Sequence, residues 1–170
     1  ICRLRDIPIV TFINKMDREA RDPFDLLDEV AATLALDCTP MSWPVGMGGE
    51  FEGIFDFATG RLTQPSGDSK AYEGKSSQHS GIDDPTLAEK LSASGLAKFR
   101  EEAELAQAGY ASFDLEAYRH GDLTPVYFGS ALKEFGIEEM IAAIAQFAPP
   151  PRPQPSAVGT ITPDNNEVTG

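Results

Sequence analysis

No Gly-x-x-x-x-Gly-Lys-Ser/Thr segment occurs in these 170 residues, so the chain has no glycine loop of the kind that cradles phosphates. No Asp-x-x-Gly follows a strand-like run, which excludes a local sensor of a γ-phosphate and its magnesium. Cysteine is scarce. Cys2 and Cys38 lack metal-ligand spacing; a lone pair could form a disulfide, but they read as buried free thiols. The histidines, His79 and His120, lie in polar surroundings without a partner motif and read as surface residues. No apolar run approaches the roughly 18 residues that span a bilayer, and no signal-peptide pattern appears, so a cytoplasmic chain is expected. Positive charge is also short: 14 Lys and Arg face 27 Asp and Glu, for a net charge of −13. That balance argues against direct nucleic-acid binding by this segment alone. Arg3, Arg5, Arg18 and Arg21 form a local basic cluster, read as a solvated face pairing with Asp6, Glu19 and Asp22.

What is present begins with an apolar and β-branched run, Ile7-Pro8-Ile9-Val10-Thr11-Phe12-Ile13, read as a buried strand of a parallel sheet. Asn14-Lys15-Met16-Asp17 follows at its carboxyl end, where ligands of open α/β sheets bind. A carboxylate there can accept from the N1–H and 2-amino group of guanine, whereas adenine presents a lone pair at N1 and no 2-amino group. A site built on such hydrogen bonds rejects the wrong base because its own polar atoms go unpaired. Asn14 would tie the loop to neighbouring backbone, and Lys15 would lay its stem along the base. Asn and Asp also end strands and cap turns in many proteins, so the tetrapeptide alone leaves a purely structural role open.

A second apolar strand, Thr124-Pro125-Val126-Tyr127-Phe128, runs into Gly129-Ser130-Ala131-Leu132, after which a helix is expected. Small residues at a strand end let backbone N–H groups approach a ligand closely. The N–H of Ala131 is the natural donor to guanine O6, and the hydroxyl of Ser130 would brace the loop. Lys133 is a further candidate, stacking over the base edge.

Asn14-Lys15-Met16-Asp17 and Ser130-Ala131-Leu132 resemble the two guanine-recognition motifs of translational GTPases. Within that superfamily, residues 21–29, Ser42-Trp43-Pro44-Val45-Gly46 and Phe51-Glu52-Gly53-Ile54-Phe55 are similar to stretches of bacterial peptide chain release factor 3, the class II release factor family, and elongation factor G carries something comparable to the last of them. Trp43-Pro44 favours that family over elongation factor G and the ribosomal protection proteins. The resemblance implies an α/β fold: the distal half of a P-loop GTPase domain, a parallel sheet with flanking helices, carrying an inserted α+β subdomain. It implies GTP or GDP as ligand of a longer parent, with magnesium expected there but its ligands absent here. It also implies the ribosome and codon-reading release factors as partners, and a role in GTP-dependent departure of those factors after peptide release. On this reading no residue of the chain is catalytic. Two alternatives stand beside it: an elongation factor G-like or ribosomal protection GTPase, and a truncated, non-enzymatic acidic module that binds proteins.

Residues 1–40 are expected to hold the first guanine motif and a helix, 41–121 the inserted subdomain, and 122–148 the last strand and helix. A proline-rich linker would cover 149–156, and 157–170 would begin a β-barrel domain. The first helix should start with Asp22 as N-cap and Pro23 at its first position, with Phe24, Leu27, Val30, Ala31 and Leu34 facing the sheet. Asp37 to Pro40 should close that unit. Met41–Val45 and Phe51–Phe57 should pair as a hairpin around Gly46-Met47-Gly48-Gly49. Residues 64–84 read as irregular, with a short strand near Ala71-Tyr72. Leu87 to Ala103 should form two helical segments broken near Ser94-Gly95, with Glu101, Glu102 and Glu104 solvated. A short helix is expected around Phe113–Tyr118. Ile137, Met140, Ile141, Ile144, Phe147 and Ala148 should form a core-facing stripe of the last helix.

Overall fold

The computed structural model describes residues 7–65, 75–150, 153–156 and 159–161. Its centre is β7 (Leu123–Phe128), whose six residues are all buried. It is flanked in parallel by β1 (Thr11–Ile13) and β2 (Asp37–Pro40), giving the order β1-β7-β2. Burial on both faces explains why β7 reads as a continuous apolar run rather than an alternating one. A second, antiparallel sheet of order β3-β4-β5-β6 is built from β3 (Ser42–Val45), β4 (Gly53–Asp56), β5 (Arg61–Gln64) and β6 (Lys75–Gln78). The expected α/β architecture, a parallel sheet with helices beside a mixed subdomain, is therefore present.

Helix α1 (Pro23–Leu34) starts as its sequence dictates. The Asp22 carboxylate accepts the Phe24 N–H at 2.8 Å, and Pro23 presents no N–H to satisfy. Leu27 is fully buried and Phe24, Val30 and Ala31 pack beside it. Helix α2 (Ala93–Gly109) and α3 (Leu115–His120) are capped by Ser92 and Asp114 through their side-chain oxygens. Helix α4 (Ile137–Phe147) follows β7, and a final antiparallel pair joins β8 (Gln154–Ser156) to β9 (Gly159–Ile161).

One continuous core joins the two sheets. Trp43, Phe55, Phe99, Val126 and Phe128 are all buried, and Trp43 sits between Phe24 and Phe128 at centroid distances of 4.9 and 5.4 Å. Each such ring contributes about 1.5–3 kcal/mol by leaving water. The indole N–H of Trp43 donates to Glu102 at 3.1 Å, so this buried polar atom is also satisfied.

Several expectations are corrected. Only Thr11–Ile13 of the run from Ile7 to Ile13 forms a strand, and it is half-buried; among the described residues it pairs on one side alone. Asp37–Pro40, expected to close the helical unit, is β2, because Cys38, Thr39 and Pro40 pack against β7 as a buried strand. The region after Gln64 contains β6, held by backbone bonds that its polar sequence does not advertise. The Ala71-Tyr72 strand lies outside the described residues, as do Cys2, Arg3 and Arg5.

The helical break falls at residues 90–92, not at Ser94-Gly95. Ser92 caps α2, and its N–H and hydroxyl both donate to Glu52. Glu102 is not solvated: it receives Trp43 and pairs with Lys98. Arg21 pairs with Glu29 rather than Asp22. His79 is 6% exposed instead of lying on the surface, its two ring nitrogens bonded to Ser77 at 2.7 Å and Thr86 at 2.9 Å. The α4 stripe is divided. Met140 and Phe147 pack on Tyr127 and Ala143, whereas Ile141 and Ile144 are 57% and 42% exposed. No helix among the described residues is long and apolar enough to cross a membrane.

Candidate functional site

Parallel pairing of β1 with β7 sets Ile13 opposite Phe128. The two strands therefore end at one level, and the segments that leave them, Asn14–Asp17 and Gly129–Lys133, emerge side by side. Backbone bonds lock this arrangement: Gly129 N–H donates to the Ile13 carbonyl at 3.0 Å, and Met16 N–H donates to the Gly129 carbonyl at 3.0 Å. Sequence reasoning expected these segments to meet, and they do.

Each side chain then takes a distinct place. Asn14 is exposed, and its Oδ1 accepts from Lys15 N–H at 2.8 Å and from Ala131 N–H at 2.9 Å. Lys15 holds a left-handed backbone, φ 69°, costly for a residue with a β-carbon. Met16 is fully buried, so it anchors the turn in the core and does not face solvent. The Asp17 side chain is 8% exposed, and Lys133 Nζ lies 3.0 Å from its Oδ2. Burial raises the Asp17 pKa, but hydrogen bonds from Ser130 and Lys133, with the Lys133 charge, outweigh it and hold the carboxyl below its ordinary value. Ser130 is 1% exposed and braces Asp17 through its hydroxyl. Leu132 is 81% exposed and contributes only its position in the turn. The expected helix after Leu132 is a single 3-10 turn, Ala131–Lys133, and α4 begins four residues later.

The Ala131 turn has supports that sequence reasoning missed. Ser130 and Phe135 exchange two backbone bonds, both 3.1 Å, closing a tight loop over residues 130–135. Gly129 has no room for a side chain: a β-carbon would lie 2.2 Å from the Phe135 carbonyl oxygen and 2.7 Å from the Phe12 ring. Gly136 takes φ +71° at the start of α4, a conformation glycine adopts without steric cost. An aromatic followed by glycine just before a periodic helix was the available signal.

The arrangement presents a buried carboxylate kept ionised, an amide side chain and a backbone N–H within one surface patch. Among the described residues no group of three or more His, Cys, Asp and Glu could hold a metal ion.

Solved structures share this architecture. A crystal structure of a protein from Thermus thermophilus has the same fold with a TM-score of 0.52, at 22% identity over 85% of this chain. The chain spans 22% of the length of that protein. Residues 1–150 match the family described as the Elongation factor Tu GTP binding domain. The chain belongs to that family of translational GTPase GTP-binding domains.

Proposed function

We propose that this chain supplies the base-selecting face of a translational GTPase acting in termination, where GTP drives departure of codon-reading release factors from the ribosome. Asn14, Lys15, Asp17 and Ala131 would meet the guanine, with Met16, Ser130 and Leu132 shaping the turns that carry them. The observation that carries this reading is the level pairing of Ile13 with Phe128, which sets an ionised, braced Asp17 beside the Ala131 turn. Guanine would offer N1–H and its 2-amino group to Asp17, and O6 would take the Ala131 N–H now held by Asn14. GTP or GDP would supply the phosphates; magnesium would accompany those phosphates, and no described residue is assigned to it.

Termination rests on the similarity of residues 21–29 and of Trp43-Pro44 to the class II release factors. Ribosome contact is proposed on the same footing, as is the division into a subdomain at 41–121 inserted between the two guanine motifs. The elongation factor G-like reading uses the same site and is separated by its ribosomal substrate. It predicts stimulation of translocation, and the termination reading predicts faster departure of release factors from post-release ribosomes.

The base assignment is tested by Asp17→Asn in the complete gene product. An amide can donate to a carbonyl at position 2, so the variant should lose GDP affinity and gain XDP affinity. Unchanged preference for GDP in a calorimetric titration contradicts the role of Asp17.

A further inference from the structure

The edge of β7 that faces β2 loses its partner strand one residue too early. Along this edge the ladder runs through Pro40 opposite Val126, and Met41 N–H donates to the Val126 carbonyl at 2.9 Å. The chain then turns away into the antiparallel sheet at β3. The next N–H on that edge belongs to Phe128, the last residue before Gly129-Ser130-Ala131. Its acceptor is a side chain: the hydroxyl oxygen of Ser42 takes it at 2.9 Å and lies 3.5 Å from the Phe128 carbonyl oxygen. Ser42 is 1% exposed, so water cannot substitute. The neighbouring Trp43 presses edge-on against the Phe128 ring and touches Phe24 of α1, the helix that follows Asn14–Asp17.

We propose that Ser42 is a positioning residue for base recognition, its hydroxyl fixing the Phe128 backbone and thereby the Ala131 N–H that would read guanine O6. This inference rests on the base-selecting function proposed above. Its physical basis is geometric. Gly129 is clamped to Ile13 on one side, and Ser130 to Phe135 ahead. Ser42 holds the other edge of the strand end, so the N–H groups of Phe128, Gly129 and Ser130 in turn are each tied to a separate partner. Through Ser42 the antiparallel sheet is coupled to the reading of the base, although its strands lie outside the site.

The test is guanine discrimination by the complete gene product, using GDP against 6-thio-GDP, in which a weaker acceptor replaces O6. Wild type should favour GDP. Ser42→Ala should shrink that ratio about 3- to 10-fold, the factor that one ordinary hydrogen bond supplies, and Ser42→Thr, which keeps the hydroxyl, should restore it. A purely structural role would lower stability and leave the ratio where it was. An unchanged ratio in Ser42→Ala, or equal affinity of wild type for the two nucleotides, overturns the inference. Should Ser42→Ala fail to fold, Ser42→Cys, near in volume with a weaker acceptor, carries the same comparison. Asp17→Asn with XDP runs in parallel. Failure of that exchange condemns the base-selecting reading itself, whereas its success with an unmoved Ser42 ratio condemns only the positioning role.

Discussion

The side-chain oxygen of Asn14 accepts the backbone N–H of Ala131 at 2.9 Å, across 117 residues of chain. The same oxygen accepts the N–H of Lys15 at 2.8 Å. One amide carbonyl thus ties both turns at the strand ends and stabilises the left-handed Lys15 between them.

Asn14→Ala should release both N–H groups. The site is exposed, so water takes over part of the bonding and the cost is about 1 kcal/mol. Hydrogen exchange at the Ala131 amide should rise about five-fold, which is that energy expressed as a ratio, while amides of α2 stay unchanged. Asn14→Asp keeps an acceptor and should restore protection. Equal exchange at Ala131 in wild type and Asn14→Ala would show that the bond carries no weight.

Asp17 gives a pH dependence with a definite sign. Its folded-state pKa lies below the ordinary carboxylate value because Ser130 and Lys133 overcome the effect of burial. A depressed pKa contributes stability that is present above the unfolded value and lost as pH falls through the folded one. On the role proposed for Asp17, guanine affinity should likewise hold level from neutral pH down to the ordinary carboxylate range and decline only below it. Lys133→Met removes the bond and the charge, leaves burial less opposed, and should move the decline to higher pH. A titration of GDP affinity from neutral pH down through the carboxylate range, to about pH 4, decides this. An identical profile in wild type and Lys133→Met would sink the assignment.

The legible parts of the fold were those where local chemistry and tertiary packing agree. Asp22-Pro23 specifies a helix start by itself, and β7 reads as buried because both of its faces are apolar. That the two motifs meet was legible because each follows an apolar run, and parallel pairing of Ile13 with Phe128 brings their ends to one level. What stayed hidden depends on distant partners. Asp37–Pro40 becomes a strand only by pairing with β7, and Lys75–Gln78 only by pairing with β5. His79 is buried with both ring nitrogens bonded, to Ser77 two residues before it and Thr86 seven residues after it, a closure that its polar neighbourhood in sequence does not reveal. Within the site, the Lys133–Asp17 ion pair and the Phe135 closure needed the turn's geometry, since a one-residue change in the 3-10 turn would separate them.

Gly129→Ala should be severely disruptive. The added carbon would sit 2.2 Å from a backbone oxygen of Phe135 and 2.7 Å from the Phe12 ring. The ring can rotate, but the backbone oxygen belongs to the closure over residues 130–135 and cannot yield without breaking it. Overpacking of this kind costs about 1–3 kcal/mol, and chemical denaturation should show that loss. Gly49→Ala is the control: no atom lies within 4 Å of the carbon it would add. Similar midpoints for the two variants would refute the clash.

Cys38 offers a probe of the core beneath the site. It is 3% exposed, its sulfur lies 3.7 Å from the Leu27 carbonyl oxygen, and it belongs to the cluster that holds Trp43 and Phe128. Burial, with the charges of Asp37 and Asp28, pushes its thiol up to about 11. Two pKa units correspond to about 100-fold less thiolate at a given pH, and the thiolate is the reactive form. Alkylation of Cys38 by iodoacetamide at neutral to mildly alkaline pH should therefore be at least about 100-fold slower than that of a free thiol, with Cys2 followed separately by mass spectrometry. Because the folded pKa is raised, the neutral thiol's contribution to stability is complete below the ordinary thiol range and is lost as pH climbs toward 11. Thermal unfolding should consequently fall more steeply over that alkaline window in wild type than in Cys38→Ala. Rapid labelling of Cys38 in the folded chain would place it outside the core and undo the packing argument that links Trp43 to the Ala131 turn.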